Sequence, residues 1–201
     1  MSSETITFAE DIRSAVDVMR RGGVIIYPTD TVWGIGCDAT NSAAVKKVFE
    51  IKRRADSKAM LSLVASEAML ERWVSDIPDV AWQLLDVAVR PLTIVFDHPV
   101  GLAREMLAPD GSAGFRLTNE KYSSELCRRL GRPVVSTSVN ISGCAPAACF
   151  ADIPPELLDA VDYVAYYRRD DTVAAPPSNV IKLSGSGVRL REQRCDMPRA
   201  R

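Results

Sequence analysis

Four short stretches of this chain gather residue types that could handle an anionic small molecule. Lys52-Arg53-Arg54-Ala55-Asp56-Ser57-Lys58 holds four cations in seven residues. Such a cluster makes charge-assisted hydrogen bonds to phosphate, and it equally complements a helix dipole where it follows a helix. Arg116, in Gly114-Phe115-Arg116-Leu117, stands where the chain reads as a strand. A guanidinium there either marks a sheet edge or holds a carboxylate with its planar fork. Thr29-Asp30-Thr31 and Ser136-Thr137-Ser138-Val139-Asn140 add hydroxyls, a carboxylate and an amide. Neutral groups of this kind bind an amino acid or a nucleotide without charge of their own. A polar strand end with an asparagine turn is also a common structural feature.

Other chemistries are disfavoured. The one histidine, His98, lies in the turn Asp97-His98-Pro99, and every common histidine-based constellation would have to run through it. Cys37, Cys127, Cys144, Cys149 and Cys195 form no CxxC pair and are odd in number, which argues against a disulfide framework or a zinc site. Neither a Walker A loop nor GxGxxG is present.

The polar stretches hang from predictable elements. Gly22-Gly23 is a turn, and Val24-Ile25-Ile26-Tyr27 is a buried strand ended by Pro28. A strand emptying into small polar groups and glycines is where open α/β sheets place ligands. Before it, Thr7-Phe8-Ala9-Glu10 opens a helix with a capping box, with Ile12, Val16 and Met19 on one face and Gly22 as the stop. A second helix runs from Asn41-Ser42 to Arg54, with Val45, Val48, Phe49 and Lys52 sharing a face. A strand follows at Met60–Val64, then a helix from Glu67 to Val74 capped by Ser66, and beyond Pro78 a helix burying Trp82, Leu85 and Val89. Trp73 and Trp82 read as core. Arg90–Phe96 is a turn and a strand. Tyr122–Leu130 is a helix stopped by Gly131, and Arg132-Pro133-Val134-Val135 leads into the Ser136–Asn140 stretch. Pro154-Pro155 starts a helix turn, Tyr163–Tyr167 is a strand, and Arg168–Asp171 is a surface turn. Pro176–Leu183 and Val188–Arg191 form strands around a Gly185-Ser186-Gly187 hairpin.

The 201 residues favour one domain, at most two, and 47% hydrophobic content supports a sizeable core. The net charge of −1 gives no global push toward nucleic acid. The N-terminus has neither a basic start nor an apolar run, and no apolar stretch is long enough for a bilayer, so the expected location is the cytoplasm. No internal repeat or low-complexity segment appears.

In order along nearly the whole chain, these motifs resemble the YrdC-like family, which includes the threonylcarbamoyl-AMP synthases of tRNA modification. Lys52 and Arg54 match its Lys-x-Arg motif, Lys58 a further basic residue, Arg116 its Val-Arg strand, and Ser138 and Asn140 its Ser-x-Asn motif. The resemblance implies a single-domain α/β fold, a twisted mixed β-sheet flanked by helices, over residues 1–192; residues 193–201, with three arginines and no apolar run, read as a frayed basic tail. It implies that L-threonine, bicarbonate and ATP become threonylcarbamoyl-AMP and pyrophosphate, and that the product passes to a tRNA-modifying transferase. Lys52 and Arg54 would be catalytic. Arg54, Lys58, Ser112, Asn140 and Arg191 would hold ATP, and Thr31, Arg116, Ser138 and Ser178 the threonine. Mg2+ would be held by the phosphates and not by a protein cluster. The chain departs from the family pattern at Ala55, Ala148, Asn179 and Glu192. Two alternatives stay open: a YciO-like paralogue, and a double-stranded-RNA or tRNA-binding module without synthase activity.

Overall fold

The chain enters the fold through α1, Phe8–Arg20, in a computed structural model that describes residues 6–53, 60–172, 178–184 and 187–191. The capping box forms: the Glu10 amide donates to Thr7 Oγ1 at 3.3 Å, and the Thr7 amide to Glu10 Oε2 at 2.9 Å. Ile12, Ala15, Val16 and Met19 are buried on one face. Gly22, at φ 77°, takes the left-handed conformation that lets the chain turn back.

Strands β1, Ile25–Tyr27, and β2, Gly34–Gly36, pair antiparallel and carry the loop 28–33 between them. Helix α2, Ser42–Ile51, is capped by Asn41, whose side chain accepts from the Ala44 amide at 3.1 Å. It stops short of Arg54: Lys52 is its C-cap, and Arg53 sits at φ 47°. Next come β3, Leu61–Val64, and α3, Glu67–Leu70, which is shorter than the run to Val74 that periodicity predicts. Helix α4, Asp79–Val87, also departs from its predicted stripe. It buries Ala81, leaves Trp82 and Leu85 half-buried, and ends before Val89, which is fully exposed. The remaining elements are β4 (Leu92–Phe96), β5 (Ala113–Leu117), α5 (Lys121–Leu130), β6 (Val134–Ser138), α6 (Pro155–Asp159), β7 (Tyr163–Val164), β8 (Asn179–Ser184) and β9 (Gly187–Arg191). Gly131 stops α5 at φ 73°, as its position predicts. The Tyr163–Tyr167 strand is only the two residues of β7, because Asp11 captures the amides of Tyr166 and Tyr167, both at 2.9 Å.

Among the described residues, nine strands form one mixed sheet in the order β7-β1-β2-β6-β3-β5-β4-β8-β9. β1/β7, β3/β5 and β4/β8 are parallel, and the other pairs are antiparallel. β5 therefore lies inside the sheet, so Arg116 is not an edge charge. Cross-strand partners share a face. The register Tyr27–Gly34–Ser138, Ser136–Leu61–Gly114 and Leu63–Arg116–Thr93 thus puts a small-residue floor and one arginine on the same face.

The floor is close-packed. The Tyr27 hydroxyl crosses to donate to Val135 O at 2.8 Å. A Cβ added at Gly36 would lie 1.7 Å from Val135 O and 3.3 Å from the Tyr27 ring. Gly36→Ala is therefore expected to destabilise the protein by about 1–3 kcal/mol through overpacking, read as a lowered urea midpoint. An unchanged midpoint would mean that β2 can shift away from β6.

Candidate functional site

Lys52, at the C-terminal end of α2, is 2% exposed and turns inward over the end of β6. Its ammonium donates to Ser138 O, to Asn140 O at 2.8 Å and to Asn140 Oδ1 at 3.2 Å. Ser138 Oγ donates to the same Asn140 Oδ1 at 2.5 Å, while Asn140 Nδ2 donates to Ile141 O at 3.1 Å and Cys144 O at 2.6 Å. Lys52 of the Lys-x-Arg motif and both named residues of the Ser-x-Asn motif, far apart in sequence, thus share one hydrogen-bond network. A cation fixed by several acceptors is preorganised and spends little reorganisation when charge develops near it. Arg54 and Lys58 lie outside the described residues.

Arg116 is 3% exposed in the middle of the sheet. Its Nη2 lies 2.9 Å from Asp30 Oδ1, on the loop between β1 and β2. Burial pushes the Asp30 carboxyl up from its ordinary range, and the guanidinium opposes that shift. Burial also lowers the Arg116 guanidinium, against the pull of Asp30. The partner of Arg116 was not legible locally. Asp30 sits among the threonines of a stretch already singled out, but nothing in the sequence pairs it with a strand so distant.

The threonines of that loop divide the work. Thr29 is buried: its Oγ1 donates to Val32 O at 2.7 Å and accepts from the Thr31 amide at 3.0 Å. Thr31 is half-buried, with its Oγ1 3.0 Å from that of Thr29. Ala148, where the family pattern carries a hydroxyl residue, lines one small cavity with Thr29, Thr31 and Trp33. Arg168 lines the same cavity from the turn that its sequence context predicts, and it also reaches the loop 28–33. At φ 65°, it donates to Thr29 O at 3.1 Å, and its guanidinium approaches Glu120 Oε1 at 3.6 Å. Its run of charged neighbours hid this role.

Ser178 is buried, with its hydroxyl 3.0 Å from Thr93 Oγ1. Because Thr93 is the cross-strand partner of Arg116, Ser178 comes to the same face and level as the guanidinium. Ser112 precedes β5 at its opposite end. Its hydroxyl donates to Asp110 Oδ1 at 2.6 Å, and Lys182 donates to Asp110 Oδ2 at 2.6 Å. These bonds hold the Asp110 carboxyl well below its usual range. Ser112 is thus already engaged, away from Arg116. Arg191 ends β9 at the outer edge of the sheet. Beside α2, a separate open cleft of about 730 Å³ is lined by Lys46, Phe49, Glu50, Arg53, Arg104, Glu105 and Leu107, with Lys46 and Glu105 already paired at 3.2 Å.

The site therefore has two parts: a buried guanidinium with hydroxyls at its level, and a lysine–serine–asparagine network at the end of β6. Comparison with known proteins shows the family. The Sua5/YciO/YrdC family model, described as telomere recombination, matches residues 17–193. A threonylcarbamoyl-AMP synthase of Stenotrophomonas maltophilia is 39% identical over 153 residues, covering 74% of this chain and 82% of the relative. A second, from Xanthomonas euvesicatoria pv. vesicatoria, is 33% identical over 186 residues, covering 90% and 97%. The crystal structure of P. abyssi Sua5 complexed with L-threonine has a TM-score of 0.78 at 26% identity, covering 90% of this chain. The chain spans 52% of that solved chain. With a family model matched over most of its length, the chain belongs to the Sua5/YciO/YrdC family.

Proposed function

We propose that this protein is an L-threonylcarbamoyladenylate synthase, a nucleotidyltransferase that condenses L-threonine, bicarbonate and ATP to threonylcarbamoyl-AMP with release of pyrophosphate and water. The observation that carries this reading is the register. It sets Arg116 and the Thr93–Ser178 hydroxyl pair on one face and level of the sheet, with the Lys52–Ser138–Asn140 network at the strand end.

The substrates react with each other, so no enzyme nucleophile is required. The amine of threonine takes up the carbon of bicarbonate. An oxygen of the resulting carbamate attacks the α-phosphorus of ATP, and pyrophosphate leaves. What the protein contributes is positioning and charge stabilisation. Arg116 holds the threonine carboxylate, and Thr31, Ser138 and Ser178 line the amino-acid site. Lys52 and Arg54 neutralise charge at the transferring phosphate, and Lys58, Ser112, Asn140 and Arg191 hold the nucleotide. The groups gathered at β6 are cationic or neutral, which suits Mg2+ delivered on the nucleotide and held by phosphates and water; bound there, it supplies counter-charge to the leaving pyrophosphate. The product is an activated acyl adenylate, to be consumed by a tRNA-modifying transferase. No helix among the described residues is long and apolar enough to cross a membrane, and the substrates place the reaction in the cytoplasm. Direct contact with tRNA or double-stranded RNA is not needed for this step.

The test is pyrophosphate release from ATP by the purified protein with bicarbonate and Mg2+. Release is expected to require L-threonine, with L-serine and D-threonine unable to match it. A folded, ATP-binding protein that shows no threonine-dependent release would exclude the synthase reading.

A further inference from the structure

Helix α4 is apolar almost all the way round and yet hardly covered. In Val80-Ala81-Trp82-Gln83-Leu84-Leu85-Asp86-Val87 only Gln83 and Asp86 are polar. Among the described residues from Asp79 to Arg90, Ala81 alone is buried, and Trp82, Leu84 and Leu85 are half-buried. Val80 is 37% exposed, Val87 74%, and Val89 fully. A helix with apolar residues on every side belongs in an interior, and an apolar patch left on a surface marks a contact. Val80, Leu84 and Val87 recur at i, i+4 and i+7, so they form one stripe along the helix.

Opposite charges stand at the two ends of that stripe. Asp79 opens α4 and Arg90 follows its end. Both are exposed, and neither joins an ion pair among the described residues. A second copy of the chain, turned antiparallel about a two-fold axis at Leu84, meets every one of these requirements. Leu84 packs on Leu84, the Val80 end of each stripe lies on the Val87 end of the other, and each Arg90 comes beside the other copy's Asp79. The two helix dipoles are then opposed as well. We propose that α4 is the self-association face of this protein, and that two copies pack α4 against α4 as an antiparallel, two-fold dimer. A helix of nine residues is about 14 Å long. It cannot alone cover the roughly 800 Å² per partner of a standard interface, so the dimer is weak and reversible, with a micromolar dissociation constant.

Sedimentation velocity of the full chain across a dilution series tests this. Wild type is expected to pass from dimer to monomer in the micromolar range. Val87→Asp, at an exposed position, should raise the dissociation constant at least about tenfold, because it sets an unpaired charge in the apolar stripe. Arg90→Glu should also raise it about tenfold, since two attractive pairs become two repulsive ones. Combining Arg90→Glu with Asp79→Arg restores the pairs and should bring the constant back to within about threefold of wild type. Should Val87→Asp fail to fold, the two charge variants decide. A wild type that stays monomeric at every concentration overturns the proposal and leaves the face to a different protein. A dimer that is indifferent to both single variants, or one that the charge reversal does not recover, overturns it too.

Discussion

Arg116→Ala is expected to raise the KM for L-threonine about a hundredfold while the KM for ATP stays within about threefold, as measured by initial rates of pyrophosphate release. The magnitude follows from the loss of a doubly hydrogen-bonded carboxylate contact in a buried site, where bonds to charged groups are each worth about 1.5–3 kcal/mol. The direction follows from position. Arg116 is 3% exposed, opposite Thr93 and within the level of Ser178, whereas the Lys52–Asn140 network lies at the end of β6. Because Arg116→Ala also strands the Asp30 carboxylate, Arg116→Lys is the companion variant. It keeps the charge, loses the planar fork, and should show the same selectivity at about tenfold. Arg54→Ala should show the opposite pattern, damaging ATP use. Small, equal effects from Arg116 and Arg54 would remove the basis for separating the two subsites.

Asp11→Ala should be the most destabilising single change outside the site. Asp11 lies on α1, is 1% exposed, and accepts four hydrogen bonds. The donors are the hydroxyls of Tyr122 at 3.0 Å and Tyr163 at 2.8 Å, and the amides of Tyr166 and Tyr167, both at 2.9 Å. One carboxylate thus ties α1 to α5, to β7 and to the segment that leads to Arg168. Its removal leaves four donors without their acceptor, the fully buried Tyr122 hydroxyl among them, and about 3–5 kcal/mol should be lost. For a protein of 201 residues, that lowers Tm by about 6–20 °C. Asp11→Asn should recover only part of the loss, since an amide offers one acceptor oxygen in place of two. A Tm within about 2 °C of wild type for Asp11→Ala would mean that water replaces the carboxylate.

Local signals were the legible ones. Thr7 and Glu10 announced their capping box, Gly131 its helix stop, and the apolar run before Pro28 its strand. These depend on neighbours three or four residues away. Lys52, Arg116, Ser138 and Asn140 were legible as residue types in motifs, and the grouping of Lys52 with Ser138 and Asn140 was carried by the family resemblance. Asp11 was hidden because an acid in the first turn of a helix satisfies the dipole rule whether or not it is buried. Its tyrosine partners, more than a hundred residues away, decide the matter. Val89 failed for the opposite reason: it continues the helical stripe, but α4 ends at Val87 before reaching it. Arg168 was lost among charged neighbours, because a turn rich in Arg and Asp looks solvated unless its carbonyl partner, Thr29 O, is known. Sheet order and register were not readable, since each pairing is a choice among many strands of similar composition.

Strand β6 joins the two parts of the sheet. It lies between β2 and β3, which precede it in the chain and touch each other only through it. Until residues 134–138 are made and inserted, β1 and β2 are a hairpin on one side, and the strands around β3 are a separate patch on the other. Joining them closes long stretches of chain, the slow kind of contact in folding. A nascent chain emerging from the ribosome therefore holds two unjoined half-sheets with open edges, prone to pair with the wrong neighbour. The five residues that zip them together end in Ser138, where the hydrogen bonds to Lys52 and Asn140 begin, so joining the half-sheets and assembling that network are one event.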